Sequence, residues 1–317
     1  MKKILVTGST GVLGHALQTI QGEYPECEFL FSNPKLCDLT NIEEVFNHVK
    51  ECRPDAIIHL AARSGGIGFT LRYPATALRE NVLMNTFILD AARMFNVKKI
   101  VMTLSSGIYP PDAPLPLQES SLHQGAPHES NYSYAFAKRL VEPFIRAYRE
   151  EHNLNVIGLV PNGIFGENDH FDGEARTFIA TLIRRFYENR NNQSPITVWG
   201  DGSPLRELTY SKDMAQAFMW CLFHYDSPEI LNLGTSEEHS IKEIALMIAD
   251  EFGIDRKRIV FDATQPAGVF RKSTDKSKFL QRTSFQFTPF SVGLRNTIQW
   301  FLKNYETPQK VELAHEN

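Results

Sequence analysis

The chain has 317 residues, 42% hydrophobic and 22% charged, a composition typical of a globular protein with one large or two interlocked domains. A net charge of −4 argues against a protein that coats nucleic acid. The four cysteines show no C-x-x-C spacing, so neither a metal site nor a disulfide framework is indicated. The apolar run near the start ends at Val6, too short for a signal core or a membrane span, and we expect a cytoplasmic protein without a membrane partner.

Short apolar runs alternate with helical patterns in the first half of the chain. The uninterrupted apolar runs are typical of a parallel sheet that is covered on both faces. Their alternation with helices predicts an α/β fold with a doubly wound parallel sheet, the Rossmann arrangement. Strands are predicted at 2–6, 28–31, 56–60, 99–104 and 156–160, and helices at 11–20, 42–52, about 75–95 and 132–151.

After about residue 165 the alternation loosens, and we interpret this half as a smaller mixed α/β lid that binds substrate. The predicted cofactor domain covers 1–165, with returning elements at about 207–235. The predicted substrate domain covers 166–206 and 236–317, ending in a frayed tail at 311–317. Loops are predicted at 167–174 and 189–195, helices at 214–223, 241–252 and 292–305, and strands at 229–233 and 259–261.

A glycine-rich turn, TGSTGVLG at 7–14, stands between the first strand and its helix. Such glycines permit a tight turn and let a diphosphate approach the free N–H groups at the start of the helix. We therefore predict a dinucleotide site that also includes the end of the third strand. Its predicted contacts are Gly8, Thr10, Gly11, Val12, Leu13, Gly14, Leu60, Ala61 and Ala62.

The end of the second strand indicates which dinucleotide is bound. An NAD site places an acidic residue there to bind the ribose hydroxyl, but this chain has no acid before Asp38. Ser32, Asn33 and Lys35 suit a 2′-phosphate instead, so we predict NADPH, with Asp38 and Lys138 as further cofactor contacts. The alternative is that Lys35 is an ordinary solvated loop lysine.

Three residues form a candidate catalytic set. Tyr134 and Lys138 lie four apart on one face of a predicted helix, and Ser105 ends the fourth strand at the sheet edge where such folds bind ligands. A nearby ammonium brings the proton of a phenol into a usable pKa range. Ser105 then holds a carbonyl oxygen while Tyr134 protonates it. The alternative is a pair of ordinary surface residues.

These motifs resemble the extended short-chain dehydrogenase/reductases and, over nearly the whole chain, the GDP-L-fucose synthase family. Besides the glycine turn, Ser105 and YAFAK at 134–138, the resemblance depends on four stretches. They are AARSGGI at 61–67, IYP at 108–110, WGDGSPLRE at 199–207 and FDATQPAG at 261–268. The resemblance implies an NADP-dependent reductase of a GDP-4-keto sugar, and a homodimer through the helix that carries Tyr134.

The resemblance also implies roles for matched residues. Pro161 matches a contact on the nicotinamide side of the cofactor. The alternative interpretation of Trp199 is that it is an aromatic residue of the core. The alternative interpretation of Arg206 is that it forms a structural ion pair with Glu207. Guanidinium groups suit a diphosphate because they form forked hydrogen bonds. The substrate contacts implied by the resemblance are Ser106, Gly107, Asn162, Thr177, Arg185, Trp199, Arg206 and Lys272.

The chain departs from the fucose synthase pattern at two positions. In that family a cysteine two residues after the catalytic serine and a histidine in the lid invert the carbons beside the ketone. Here Gly107 and Thr177 stand at those positions, and neither exchanges a carbon-bound proton. His170 and Glu174 are the nearest candidates to replace them.

Two further departures, Gly163 in place of asparagine and Ala267 in place of aspartate, indicate a different sugar. We therefore predict a reductase of a GDP-4-keto hexose or heptose that does not epimerise its substrate. One alternative is a bifunctional fucose synthase, and another is a non-catalytic NADP-binding protein. A sugar-nucleotide dehydratase is discounted, because the loop after Ser105 offers no carboxylate pair.

Overall fold

A computed structural model describes residues 2–172, 177–265 and 269–305. Glu174, Ala267 and the tail predicted at 311–317 lie outside these residues. Among the helices of the described ranges, none is long and apolar enough to cross a membrane.

The strands of the described residues fall into a large sheet and two small ones. The large sheet has the order β2-β1-β3-β4-β5-β9, and all of its strands are parallel. The small sheets have the orders β10-β8-β6 and β11-β7. The strands are β1 (Lys2–Thr7), β2 (Cys27–Ser32), β3 (Ala56–His59), β4 (Lys99–Thr103), β5 (Val156–Pro161), β6 (Gly163–Phe165), β7 (Ile196–Trp199), β8 (Leu205–Tyr210), β9 (Leu231–Leu233), β10 (Glu238–Ser240) and β11 (Ile259–Asp262).

Helices cover both faces of the large sheet and build most of the lid. They are α1 (Val12–Ile20), α2 (Ile42–Cys52), α3 (Gly66–Arg72), α4 (Pro74–Met94), α5 (Tyr132–Arg139), α6 (Val141–His152), α7 (Phe178–Asn189), α8 (Ser211–His224), α9 (Ile241–Glu251), α10 (Ser277–Leu280) and α11 (Phe290–Tyr305). The predicted doubly wound α/β fold is confirmed.

Alternating residues of the central strands enter two separate cores. Leu5 and Ile57 pack with residues of α2, α4 and α6 on one face of the sheet. Ile4 and Ile58 pack with residues of α1 and α8 on the other face. Because both faces are buried, these strands need apolar residues at every position, which is the pattern that the sequence shows.

The single helix predicted at 132–151 is wrong, because the chain forms α5 and α6 with a break at Leu140. The physical reason is Pro143. Proline has no N–H, so it cannot donate to the carbonyl of Arg139, and the helical ladder is interrupted there.

The lid has its own core and contains a helix that the prediction missed. Phe165, Phe186, Phe290 and Phe301 are buried together between α7, α9 and α11. The missed helix is α7, although the helical spacing of its buried residues and the capping Thr177 were visible in the sequence. The chain then returns to the large sheet through α8 and β9.

Candidate active site

The glycine turn forms a close-fitting cradle at the edge of the sheet. Gly8 has φ +71°, and a Cβ there would lie 2.6 Å from the main-chain nitrogen of Ala61. A Cβ at Gly14 would lie 2.6 Å from the Gly8 carbonyl oxygen. Gly11 stands at the N-cap of α1, where no side chain caps the first N–H groups. These free donors fit the diphosphate of a dinucleotide.

A groove beside this turn has six of the predicted cofactor residues along its walls. Its lining includes Gly8, Ser32, Asn33, Asp38, Ala61 and Ala62. Other predicted residues lie outside this lining, among them Thr10 in the turn, Val12 and Leu13 in the first turn of α1, Leu60 after β3 and Pro161 at the end of β5. The arrangement fits the predicted cofactor along the carboxyl edge of the sheet.

Two cations stand near the part of the groove formed by the end of β2. Lys35 is exposed in the turn after β2, where its main-chain N–H donates to Asn33 Oδ1 at 2.9 Å. Arg63 also lines the groove, with its Nε 3.4 Å from Glu80 Oε2, and the sequence analysis did not predict it as a cofactor contact. Its position directly after Ala61 and Ala62 was the signal that could have identified it.

Lys35→Ala is expected to reduce the preference for NADPH over NADH by roughly 10-fold, as one charged contact with a phosphate is lost. The kcat/KM for NADH should change little, because NADH has no 2′-phosphate. Lys50→Ala, which removes an exposed lysine from α2, is the matched control. An unchanged ratio of the two kcat/KM values would assign the preference to other residues, with Arg63 the next to test.

Ser105, Tyr134 and Lys138 come together at the carboxyl end of β4. Tyr134 and Lys138 share a face of α5, and a hydrogen bond joins the side chains of Tyr134 and Ser105. Ser105 Oγ also accepts from the Gly107 N–H at 3.2 Å. Buried Arg139 donates to the Ile108 carbonyl at 3.0 Å, which fixes the loop after Ser105 against α5.

The pKa of Tyr134 differs from the expectation. Removal of the phenol from water raises the pKa of Tyr134 to about 12, and its hydrogen bond with Ser105 offsets only part of that rise. Lys138 Nζ donates to the Thr103 carbonyl oxygen at 2.8 Å, because a buried ammonium needs an acceptor. The expectation that Lys138 brings the phenol pKa down is therefore wrong for this structure. Tyr134 is a protonated acid at neutral pH.

Beneath Lys138 lies a buried histidine that the sequence analysis did not single out. His59 ends β3, and its Nδ1 lies 2.8 Å from Thr7 Oγ1. Burial and then the charge of Lys138 lower the pKa of His59 to about 3, so the ring is neutral. Burial likewise lowers the pKa of Lys138 to about 8. The sequence signal that could have identified His59 was its position as a polar residue at the end of an otherwise apolar strand.

Of the positively charged residues predicted to bind substrate, Lys272 lies near Ser105 and Arg206 lies near Lys272. Lys272 Nζ lies 3.7 Å from the point that a Cβ on Gly107 would occupy, and the same point is 3.3 Å from Ser105 Oγ. Burial and the neighbouring charge of Arg206 lower the pKa of Lys272 to about 8. Lys272 and Arg206 therefore form a positively charged track that leads to Ser105, the predicted catalytic serine.

The alternative interpretation of Arg206 as an ion-pair partner of Glu207 is wrong. Glu207 is buried and pairs with buried Lys276, and its Oε2 accepts from the Thr274 N–H at 3.1 Å. Arg206 instead donates to the carbonyl oxygens of Leu205 and Val269, at 2.8 and 2.9 Å. Neighbouring residues of a strand point to opposite faces, which separates the two side chains.

Farther along the lid, Trp199 and Arg185 lie on neighbouring elements. Trp199 is the last residue of β7, and its surface is 55% exposed. This exposure excludes the alternative of a core aromatic residue. Arg185 extends from α7 and donates to the Thr197 carbonyl oxygen of β7 at 2.6 Å. An exposed aromatic ring beside a guanidinium suits a base with an attached phosphate.

Asn162 and Thr177 bond mainly to the protein itself. Asn162 Oδ1 accepts from Thr209 at 2.6 Å, and its Nδ2 donates to the Thr235 carbonyl at 3.1 Å. Thr177 Oγ1 donates to buried Asp169 at 2.7 Å and caps α7 through the Ala180 N–H. Their polar groups are thus engaged in holding the lid. Their roles as substrate contacts stay predictions.

Comparisons with known proteins decide the family. Residues 4–234 match the model of the NAD dependent epimerase/dehydratase family. A GDP-L-fucose synthase from Dictyostelium discoideum is 33% identical over 314 residues, which cover 98% of both chains. The chain belongs to the GDP-L-fucose synthase branch of the epimerase/dehydratase family. The resemblance recognised in the motifs is confirmed.

Solved structures of relatives agree with this assignment. A GDP-L-fucose synthetase from Naegleria fowleri bound to NADP has a TM-score of 0.90 and 34% identity, covering 96% of this chain and 95% of the other. A GDP-mannoheptose C4 reductase from Campylobacter jejuni with NADP bound has a TM-score of 0.84 at 24% identity, covering 95% and 98%. At that identity the second structure supports the fold alone.

The structure shows the surroundings of Gly107 and Thr177, the two positions at which the chain departs from the fucose synthase pattern. Gly107 is buried in the short 3₁₀ turn after Ser105. The hydroxyl of Thr177 is engaged as described above. His170 is exposed, and burial and then the charge of His170 lower the pKa of His15 in α1. A Cβ on Gly163 would lie 2.8 Å from the Glu207 carbonyl oxygen, so asparagine would require a shift there.

Proposed function

We propose that this protein is an NADPH-dependent reductase of the C4 keto group of a GDP-4-keto sugar, and that it does not epimerise C3 or C5. The observation that carries the proposal is the intact Ser105, Tyr134 and Lys138 set beside a loop where Gly107 stands in place of the epimerisation cysteine. The enzyme is an NADP-dependent oxidoreductase that acts on a nucleotide sugar. Relatives named as GDP-L-fucose synthases support the GDP group.

The chain supplies the binding and proton chemistry of the reduction. NADPH, when bound along the glycine turn, supplies the hydride. Ser105 donates a hydrogen bond to the substrate carbonyl oxygen, and Tyr134 gives its proton to that oxygen as negative charge develops there. With a pKa of about 12, the phenol is a stronger acid than an aliphatic alcohol, so the transfer is favourable. Lys138 lies on the same helix face, donates to the Thr103 carbonyl oxygen at 2.8 Å and is proposed as a cofactor contact.

Epimerisation needs one group to remove a carbon-bound proton and another to return a proton on the opposite face. Gly107 has no side chain, and the Thr177 hydroxyl is bonded to Asp169. Neither is titratable near neutral pH. The bifunctional fucose synthase is the second candidate, which the 33% identity to a named GDP-L-fucose synthase favours.

The proposal is tested by following NADPH absorbance with a panel of GDP-4-keto hexoses and GDP-4-keto heptoses. NADPH consumption with at least one member of the panel is expected, with a C4 alcohol as product. A protein that binds NADPH but consumes none of it with any of these sugars would be the non-catalytic alternative. The panel also identifies the preferred sugar.

Lys272 makes substrate capture dependent on pH. Because its pKa is lowered to about 8, the ammonium is charged below that pH and neutral above it. We expect kcat/KM for the GDP sugar to fall as the pH rises through about 8. Lys272→Arg should remove part of this fall, since a guanidinium stays charged. Identical pH profiles for the two proteins would contradict the role of Lys272.

A homodimer through α5 belongs to the same proposal, as does a cytoplasmic location. Leu140 at the end of α5 and Leu78 on the neighbouring α4 are large apolar side chains that are 39% exposed. Exposed apolar side chains on two packed helices suit an interface between subunits. Light scattering of the purified protein measures its mass, and a monomer at micromolar concentration would contradict the dimer.

A further inference from the structure

An asparagine at the start of α5 does not cap the helix. Asn131 is the N-cap residue, where asparagine ordinarily accepts a hydrogen bond from an N–H of the first turn. Its side chain makes no such bond. In the ranges 2–172, 177–265 and 269–305, no other hydrogen bond of this carboxamide is found. The amide is therefore available to a ligand.

The carboxamide of Asn131 points to the catalytic loop. Its Nδ2 lies 2.6 Å from the point that a Cβ on Gly107 would occupy. Ser105 Oγ lies 3.3 Å and Lys272 Nζ 3.7 Å from the same point. The Lys272 ammonium likewise has no hydrogen-bond or ion-pair partner in the part of the chain that the structure describes. An amide and an ammonium thus converge beside the catalytic hydroxyl.

The main chain around Asn131 is fixed. Thr70 Oγ1 donates to the carbonyl of Ser130 at 2.9 Å, and the Asn131 N–H donates to the carbonyl of His128 at 3.1 Å. Tyr134 follows one helical turn later on α5. Because Tyr134 bonds to Ser105 and the Asn131 amide lies against Gly107, the phenol and the amide face the same loop.

We propose that Asn131 is a substrate-contacting specificity residue that binds the C3 hydroxyl of the 4-keto sugar. This inference rests on the proposed function. In a 4-keto pyranose C3 carries a hydroxyl, whereas C5 carries a carbon substituent, so the hydroxyl next to the carbonyl is the one on C3. A carboxamide both donates and accepts, which suits a hydroxyl group. Ser105 holds the carbonyl oxygen, and Asn131 holds its neighbour.

The proposed contact between Asn131 and the sugar depends on glycine at position 107. A Cβ there would overlap the amide of Asn131, so any larger residue displaces the carboxamide. Gly107 therefore gives the Asn131 amide its place beside Ser105. The same substitution that removes an epimerisation acid creates space for a hydroxyl-binding group.

The test compares wild type with Asn131→Ala on two substrates, GDP-4-keto-6-deoxymannose and its 3-deoxy analogue. On the hydroxylated sugar, Asn131→Ala is expected to lower kcat/KM by roughly 10–100-fold, the effect of one or two lost hydrogen bonds. On the 3-deoxy sugar the two proteins should be nearly equal. An equal loss on both sugars, or no loss on either, would overturn the inference.

Three controls separate substrate contact from a structural role. Glu129→Ala changes an exposed residue of the same short turn and should leave kcat/KM unchanged. The Tm and the NADPH affinity of Asn131→Ala should equal those of wild type, since the side chain caps nothing. Gly107→Ala should reproduce the selective loss on the hydroxylated sugar, because the added methyl group displaces the amide.

A binding measurement distinguishes failure of this inference from failure of the proposed function. Calorimetry of GDP-mannose with the NADP complex needs no turnover, and Asn131→Ala should weaken its Kd while leaving that of a 3-deoxy analogue unchanged. If wild type reduces no 4-keto sugar but shows this difference, only the proposed function fails. If both proteins bind both ligands equally, the inference fails. No binding of GDP-mannose to wild type would overturn the inference alone, because the NADPH assay with the sugar panel decides the proposed function separately.

Discussion

Tyr134→Phe is expected to lower kcat for sugar reduction by roughly 10²–10⁴-fold, the contribution of a positioned general acid. The physical reason is that the phenol, with its pKa raised to about 12, is protonated at neutral pH and lies next to Ser105. Phenylalanine keeps the ring and its packing but carries no proton. Water is then left to protonate the developing alkoxide, which raises the barrier.

Binding and stability should be preserved in this variant. The Kd for NADPH, measured by fluorescence, and the Tm should match those of wild type, because Tyr134 bonds only to Ser105 among the described residues. Tyr132→Phe is the matched control, since Tyr132 lies on the same helix with 42% of its surface exposed. A kcat for Tyr134→Phe within a few-fold of wild type would mean that another group donates the proton.

Reduction in D₂O should leave C3 and C5 of the product free of enzyme-dependent deuterium. Epimerisation exchanges a carbon-bound proton with solvent, so an epimerase labels the carbons that it inverts. Here Gly107 has no side chain and the Thr177 hydroxyl is engaged with Asp169. Mass spectrometry and NMR of the product measure the label, corrected for exchange of the substrate without enzyme. With unlabelled NADPH, C4 should hold protium.

A stricter form of this experiment uses Tyr134→Phe. Because this variant does not reduce the ketone, the substrate binds and dissociates many times over hours. Even a slow epimerase activity would then add measurable deuterium to C3 or C5 of the substrate. No label above the enzyme-free rate is expected. Label at either carbon would support the bifunctional fucose synthase, and His170→Ala and Glu174→Ala would identify the group responsible. The NADPH consumption of the wild type in parallel shows that the substrate is accepted.

The sequence by itself determined the sheet, the glycine turn and the catalytic spacing. Central strands need apolar residues on both faces, and this requirement is visible in each strand separately. Tyr134 and Lys138 share a helix face whatever surrounds them, because the spacing of four residues is a property of the helix. The distinctive stretches at 61–67 and 199–207 predicted the family in the same way, since each is contiguous in the chain.

Only the tertiary structure decided which partners these residues have. Glu207 pairs with Lys276 and not with its neighbour Arg206, because the path of the segment after Val269 brings Lys276 into the buried interior. The same path places Lys272 beside the catalytic loop. Such contacts join residues far apart in sequence, and no local pattern encodes the course of the chain between them.

The electrostatics of the site also required the fold. Spacing alone predicted a Tyr134 phenol with a lowered pKa, but burial raises that pKa and directs the Lys138 ammonium to the Thr103 carbonyl. The cost of desolvation depends on everything that packs around a group, and one sequence does not display it. Asn131 was unremarkable in the sequence for the same reason. Its uncapped helix position and its approach to Gly107 exist only once α5 packs against the loop after Ser105.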